Sequence, residues 1–155
     1  MIQQGESQNL EFKSSLRWDV REDKVNKDLE KIILKTIAGF LNSEGGQLII
    51  GVEDNGNVFG LENDYVAISN GDRDKFENHL VQLIKTAIGV EFLKYIRFSF
   101  ESIDSKDVCL VTVVRGNKPA FVTFKGNEEF FVRTGNNTSP LGMKETQNYI
   151  KDNWK

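Results

Sequence analysis

The chain has 155 residues, carries a formal net charge of −3, and holds one Cys and one His. A chain of this length buries roughly 70% of its unfolded surface, which suits one domain, and the single Cys excludes a disulfide framework. No apolar stretch approaches the roughly 20 residues that cross a bilayer, and the opening MIQQGESQNLEFK lacks the apolar core of a signal peptide, so a cytoplasmic protein without membrane contact is expected.

The first element is the extended run LEFK, in which Glu11 and Lys13 point to the same face. Over residues 23–41, Val25, Leu29, Ile32, Ile33, Ile37, Phe40 and Leu41 recur at three- and four-residue steps, which predicts an amphipathic helix. NSEGG then supplies glycines for its C-terminus, and QLIIGVED reads as a nearly continuous apolar strand, central in its sheet. A tight turn at Asn55 and Gly56 leads into a brief strand at Val58 and Phe59. Phe76, Leu80, Leu83, Ile84, Ala87 and Ile88 mark a second helix, with Asp72 or Asp74 as its N-cap. IRFSFESI turns at residues 104–107 into VCLVTVV, and KPAFVTF and EEFFVRT follow around KGN, all as antiparallel strands. A final helix begins at Ser139 or Gly142, with Met143, Tyr149, Ile150 and Trp154 on its packing face. Without repeats or linkers, residues 1–155 are expected to form one α+β domain, a mixed, mostly antiparallel sheet packed by about three helices around one core.

The chemistry rests on Glu6, Glu11, Lys13 and Asp54, because the chain offers no glycine-rich phosphate loop and no nucleophile beside a general base. Mg²⁺ or Mn²⁺ takes oxygen ligands from one to three carboxylates, water and phosphate, and a neighbouring lysine stabilises a developing anion. Glu6, Glu11 and Asp54 supply such carboxylates, and Lys13 such a lysine. Spacing alone leaves a plain alternative: glutamates near a terminus are commonly solvated, and Asp before Asn-Gly is a good turn residue.

A net charge of −3 does not advertise nucleic-acid binding, although a loaded cation presents a positive centre. Basic residues cluster locally: Lys13 with Arg17 and Arg21, then Lys24, Lys27, Lys31 and Lys35 along the first helix, and Lys144 with Lys151 and Lys155; of these, Lys13 and Arg17 are the candidates for nucleic-acid contact. The helix lysines alternate with Asp28 and Glu30, as exposed positions do. Arg133 stands at a strand end before the amide-rich turn GNNTS. It either holds phosphate there, with turn donors and the Thr138 hydroxyl, or pairs structurally with a carboxylate. Phe130 and Phe131 alternate on a strand, so at most one is expected to face out. Cys109 reads as a small buried hydrophobe and His79 as structural; Trp18 and Trp154 are open to an interface.

Three blocks then stand out together: GESQNLEFKSSL, AGFLNSEGGQLIIGVEDNGNVFGLE and RGNKPAFVTFKGNEEFFVRTGNNTSPL. They resemble the schlafen AlbA-like domain, whose pattern runs Glu, four residues, EFK; a helix; AFANTxGGxLxIGVxDxGxxxG; and later kP and yyxRxGxxT. The match spans residues 5–138 with all blocks in order. The resemblance implies an α+β domain labelled a DNA-binding module and, in schlafen proteins, a divalent-metal-dependent endonuclease acting on structured RNA, chiefly tRNA. Its acidic triad falls on Glu6, Glu11 and Asp54, and the Lys of EFK on Lys13. The family's AFANT is AGFLNSE here, with Gly39 and Leu41 inserted and Ser43 replacing Thr; Asn42 keeps the amide and is expected to cap the helix or brace the Asp54 turn. Schlafen nuclease cores pair two such modules into a clamp, which a homodimer of this chain would restore. Many relatives carry the module fused to ATPase or winged-helix regions with no known cleavage. The alternative is therefore a non-catalytic module that binds RNA or DNA, or a regulatory one, in a bacterial or phage defence system.

Overall fold

The computed structural model describes residues 2–68 and 71–154. In chain order its elements are β1 (Leu10–Lys13), β2 (Trp18–Asp19), β3 (Lys24–Val25), α1 (Leu29–Leu41), β4 (Gly46–Ile50), α2 (Glu62–Ala67), α3 (Arg73–Ala87), β5 (Ile96–Ile103), β6 (Lys106–Val113), β7 (Phe121–Phe124), β8 (Asn127–Thr134), β9 (Asn137–Leu141) and α4 (Met143–Asn153), with 3-10 turns at Ile2–Gln4 and Val90–Tyr95. The α+β class is as expected, but the strands do not share one sheet. Four make a mixed sheet in the order β1-β4-β6-β5, with only β1 and β4 parallel; β7, β8 and β9 form a separate antiparallel meander, and β2 with β3 a small hairpin. The division falls after β6, where Pro119 has no N–H for a ladder and the Gly116 N–H is given to Leu41 O at 2.9 Å.

Alternation along the strands sorts the core into two faces. Leu48 and Ile50 of β4 join Cys109 and Val111 of β6 against α1 and α3, while Leu10, Phe12, Ile49, Val52 and Val108 form a smaller cluster on the other side of the sheet. Cys109 is fully buried, and burial holds its thiol above the usual range.

Both faces of the meander are covered as well. Phe131 belongs to the main core, whereas Phe130 packs on Tyr149 and Trp154 at ring distances of 5.8 and 6.4 Å. Neither phenylalanine faces out, and Trp154 serves this internal cluster rather than an interface. Met143, expected on the packing face of the last helix, is 83% exposed.

Two helix boundaries depart from periodicity. Asp23 adopts φ +54° in the β2–β3 turn, and the Asn26 N–H bonds Arg17 O at 2.7 Å, so residues 23–25 close a hairpin and α1 starts at Leu29. Ser139 lies in β9, and the last helix begins after Gly142, whose N–H is taken by Glu145 Oε1 at 3.1 Å. Asp72 caps α3 through the Lys75 N–H. The brief strand expected at Val58 and Phe59 is reduced to a single bridge between Val52 and Val58, and the short helix α2 that follows has no periodic signal long enough to announce it.

Asn42 ends α1 but serves the second sheet. Its amide donates to Ala120 O and Phe131 O and accepts from Ala120 N–H, each at 2.8 Å, so its side chain neither caps the helix nor braces the Asp54 turn. Gly39, one turn earlier, permits the same close approach: a Cβ there would stand 3.1 Å from Thr138 Cγ2. Asn42→Ala leaves three buried backbone groups unpaired and is expected to cost about 3 kcal/mol in urea unfolding. A stability equal to wild type would remove the amide from this role.

Candidate active site at the seam between the sheets

β1 is an edge strand, and its register opposite β4 sets the direction of its side chains. Glu11 pairs with Leu48 and Lys13 with Ile50, so both charged side chains point to the face that carries the main core. That face stays open at β1 because α1 leaves a pocket there. Glu6 reaches it by a chain reversal: Ser7 and Leu10 exchange backbone hydrogen bonds at 2.9 and 3.4 Å, which turns Glu6 back so that its Oε1 accepts the Phe12 N–H at 3.3 Å.

Asp54 comes from the other side of β1. Both Gly51 N–H and Val52 N–H bond Lys13 O, at 2.7 and 3.3 Å, tying the loop after β4 to the end of β1. Gly51 sits at φ +107°, and a Cβ there would meet Val108 Cγ1 at 3.2 Å, so this link needs glycine. The Asn55-Gly56 turn forms as expected, with Val58 bridging Val52, and carries Asp54 exposed at its start.

All four residues line one cavity of about 350 Å³. Lys35 and Thr36 of α1 and residues 136–138 complete it; Lys35 was legible only as one of the basic helix positions, and Asn136 and Asn137 only as turn amides. Glu11 Oε2 lies 3.3 Å from Lys13 Nζ. The Glu6 carboxyl is raised from its ordinary 4.5 to about 7, by burial first, then by the charge of Glu11 and a hydrogen bond shared with it; Asp54 adds a smaller push. Neighbouring carboxyls present hard oxygen donors to a cation, and Mg²⁺ sites commonly use one or two carboxylates with water and phosphate. The donor set therefore fits. Among the described residues, however, no three His, Cys, Asp or Glu side chains are grouped to hold an ion, so the expected three-carboxylate site is present as residues sharing a cavity rather than as a closed ligand set.

The other candidates for nucleic-acid contact divide. The Arg133 side chain is wholly buried: Nη1 donates to Glu11 Oε1 at 2.7 Å and to Thr138 Oγ1 at 3.2 Å, Nη2 to Ser7 O at 2.6 Å and Nε to Gln8 O at 3.0 Å, above the Phe40 ring at 4.8 Å. Four of its five N–H groups are engaged and the side chain is out of solvent, which corrects the phosphate reading in favour of the structural pairing. Thr138 lies in β9 rather than a turn, where it accepts from Arg133 and still lines the cavity. Arg17 turns away from the cavity: its Nε stands 3.3 Å from Glu30, and Nη1 donates to Ala67 O. Glu30 is correspondingly buried, not exposed as the helix pattern implied, and takes His79 Nε2 at 2.6 Å.

A sequence profile described as Schlafen, AlbA_2 matches residues 6–142. Among solved structures, the DIP2311 protein from Corynebacterium diphtheriae aligns over 96% of this chain at 21% identity and a TM-score of 0.65; the chain spans 28% of that protein's length. The N-terminal domain of a Nitrosomonas europaea protein described as related to the ATP-dependent DNA helicase RecG aligns over 77% of this chain and 71% of its own at 20% identity and a TM-score of 0.49.

Removing Arg133 strands the buried Glu11. Arg133→Met is expected to cost about 4 kcal/mol in urea unfolding, with part regained when Glu11→Leu is added; equal losses in both variants would contradict the pairing. Glu6 titrates between its ordinary 4.5 and about 7, a window in which the folded state holds more protons than the unfolded. Its contribution to stability is full below 4.5 and lost as pH rises through about 7. Glu6→Gln should flatten the fall of unfolding free energy with pH across that window; an unchanged slope would contradict the raised carboxyl.

Proposed function

The chain belongs to the Schlafen, AlbA_2 family, and on that premise we propose that it is a nucleic-acid-binding domain that hydrolyses structured RNA, tRNA before DNA, with Mg²⁺ or Mn²⁺. The observation that carries this reading is the convergence of Glu6, Glu11, Lys13, Lys35 and Asp54 on one solvent-open cavity. Family membership by itself supports the coarser statement, a nucleic-acid-binding or nuclease-like domain.

Glu6 and Glu11 would hold the ion, with Asp54 lining the same cavity; when bound, it supplies charge neutralisation at the scissile phosphate and an acidified water. Arg133 fixes Glu11 through Oε1 and leaves Oε2 toward Lys13. Lys13 and Lys35 offset phosphate charge from two sides, one on β1 and one on α1. A homodimer would place two such cavities around one RNA. The alternative, a non-catalytic binding module, gains from one observation: Glu11 is already committed to a buried arginine.

The purified protein is expected to cleave tRNA with Mn²⁺ or Mg²⁺ and to stop in EDTA. Asp54→Asn and Lys13→Gln should each slow cleavage about 100-fold while staying folded, because neither side chain is buried. Glu11→Ala is a poor test, since it strands Arg133. Cleavage that persists in EDTA, or at the wild-type rate in both variants, would refute the assignment, and binding without cleavage would leave the module reading. A panel of tRNA, rRNA and single- and double-stranded DNA orders the substrates, and a light-scattering mass with RNA equal to the monomer would sink the dimer.

A further inference from the structure

A second cavity of about 490 Å³ adjoins the acidic one, and the two share Ile32 and Asp54 as wall residues. Its far side is the β2–β3 hairpin, which brings Trp18, Val20 and Arg21 to the opening, and Leu29 of α1 extends the apolar wall. We propose that this cavity seats the nucleobase next to the phosphate held in the acidic pocket, with Trp18 as the stacking platform of a single-stranded RNA segment; the proposal rests on the nucleic-acid reading of that pocket.

Three features carry it. First, the two cavities meet at Ile32 and Asp54, so a strand with its phosphate beside Lys13 would bring its neighbouring base within reach of Trp18 across those two residues. Second, the two tryptophans are used differently. Trp154 packs on Phe130 and Tyr149 and donates its indole N–H to Gly116 O, whereas the half-buried Trp18 ring has no aromatic partner and no indole hydrogen bond among the described residues. A large ring left on a cavity wall is apolar surface awaiting cover, and every base has a face to supply it.

Third, the backbone beneath Trp18 is held in place. The buried Asp64 accepts the N–H groups of Leu16, Arg17 and Trp18 at 2.8, 2.9 and 3.1 Å, the Trp18 carbonyl accepts the Ser15 hydroxyl, and Trp18 pairs with Val25 across the hairpin. Stacking on a fixed residue loses little conformational freedom. Asp19, Glu53 and Asp54 line this cavity too; Asp19 accepts the N–H groups of Arg21 and Glu22, both at 3.0 Å, and the exposed Arg21 is the cation among the lining residues.

The test compares two labelled probes by fluorescence anisotropy with Ca²⁺ in place of Mg²⁺, a gel confirming that both stay intact: a short oligouridylate and the same ribose-phosphate chain with abasic positions. Wild type is expected to bind the oligouridylate about tenfold more tightly than the abasic chain. Trp18→Leu, which keeps an apolar wall, should abolish that preference while leaving abasic affinity unchanged, and Trp18→Phe should retain most of it. Thermal unfolding of each variant checks its fold. If wild type binds both probes and Trp18→Leu changes neither, or weakens both alike, the stacking site is overturned and the nucleic-acid reading stands. If wild type binds neither probe, both fall.

Discussion

Arg133 exposes none of its side chain, and a charge so placed persists only where its N–H groups meet acceptors. Those acceptors come from separate parts of the chain: the Ser7 and Gln8 carbonyls before β1, the Glu11 carboxylate within it and the Thr138 hydroxyl on β9. The guanidinium therefore fixes the N-terminal reversal, the edge strand and the meander in one arrangement, with the Phe40 ring of α1 beneath it. Asn42 repeats the device at the other end of the contact by joining the start of β7 to β8. Arg133 thus ties the two sheets to each other, and Asn42 ties α1 to the second of them.

The candidate site is a by-product of the same geometry. An edge strand that turns charged residues toward the core face cannot be covered by a helix without stranding them, so α1 and β9 stop short and leave a cavity. Glu11 belongs to both systems, one oxygen engaged by Arg133 and the other facing Lys13. Its fixed charge, added to burial, keeps the Glu6 carboxyl protonated toward neutrality. Like charges crowded so closely constitute electrostatic strain that a cation would relieve, which ties the stability of the fold to the chemistry proposed for it.

Negative net charge is reconciled with a nucleic-acid ligand on the same local scale. Basic side chains are few at the cavity, Lys13 and Lys35 within it and Arg21 on the adjoining groove, while Arg17 and Arg133 are spent on structure. Counting arginines along the chain overstates the surface available to phosphate, since the two read as contacts are the two that the fold consumes.

By itself the sequence determined the elements whose signals are local. The α1 and α3 stripes, the hairpin turns of the C-terminal half, the apolar β4 run and the same-face placement of Glu11 and Lys13 all follow from periodicity and turn chemistry within a few residues. Glu6, Glu11, Lys13 and Asp54 could be named as one set from their types and from the schlafen-like blocks around them. Tertiary structure alone decided the partners. Whether Arg133 meets phosphate or Glu11, whether Asn42 caps a helix or stitches a sheet, whether Phe130 is covered, and where one sheet ends and another begins depend on groups distant in the chain. A buried polar group takes its meaning from what satisfies it, and that requirement is met in space, not along the sequence.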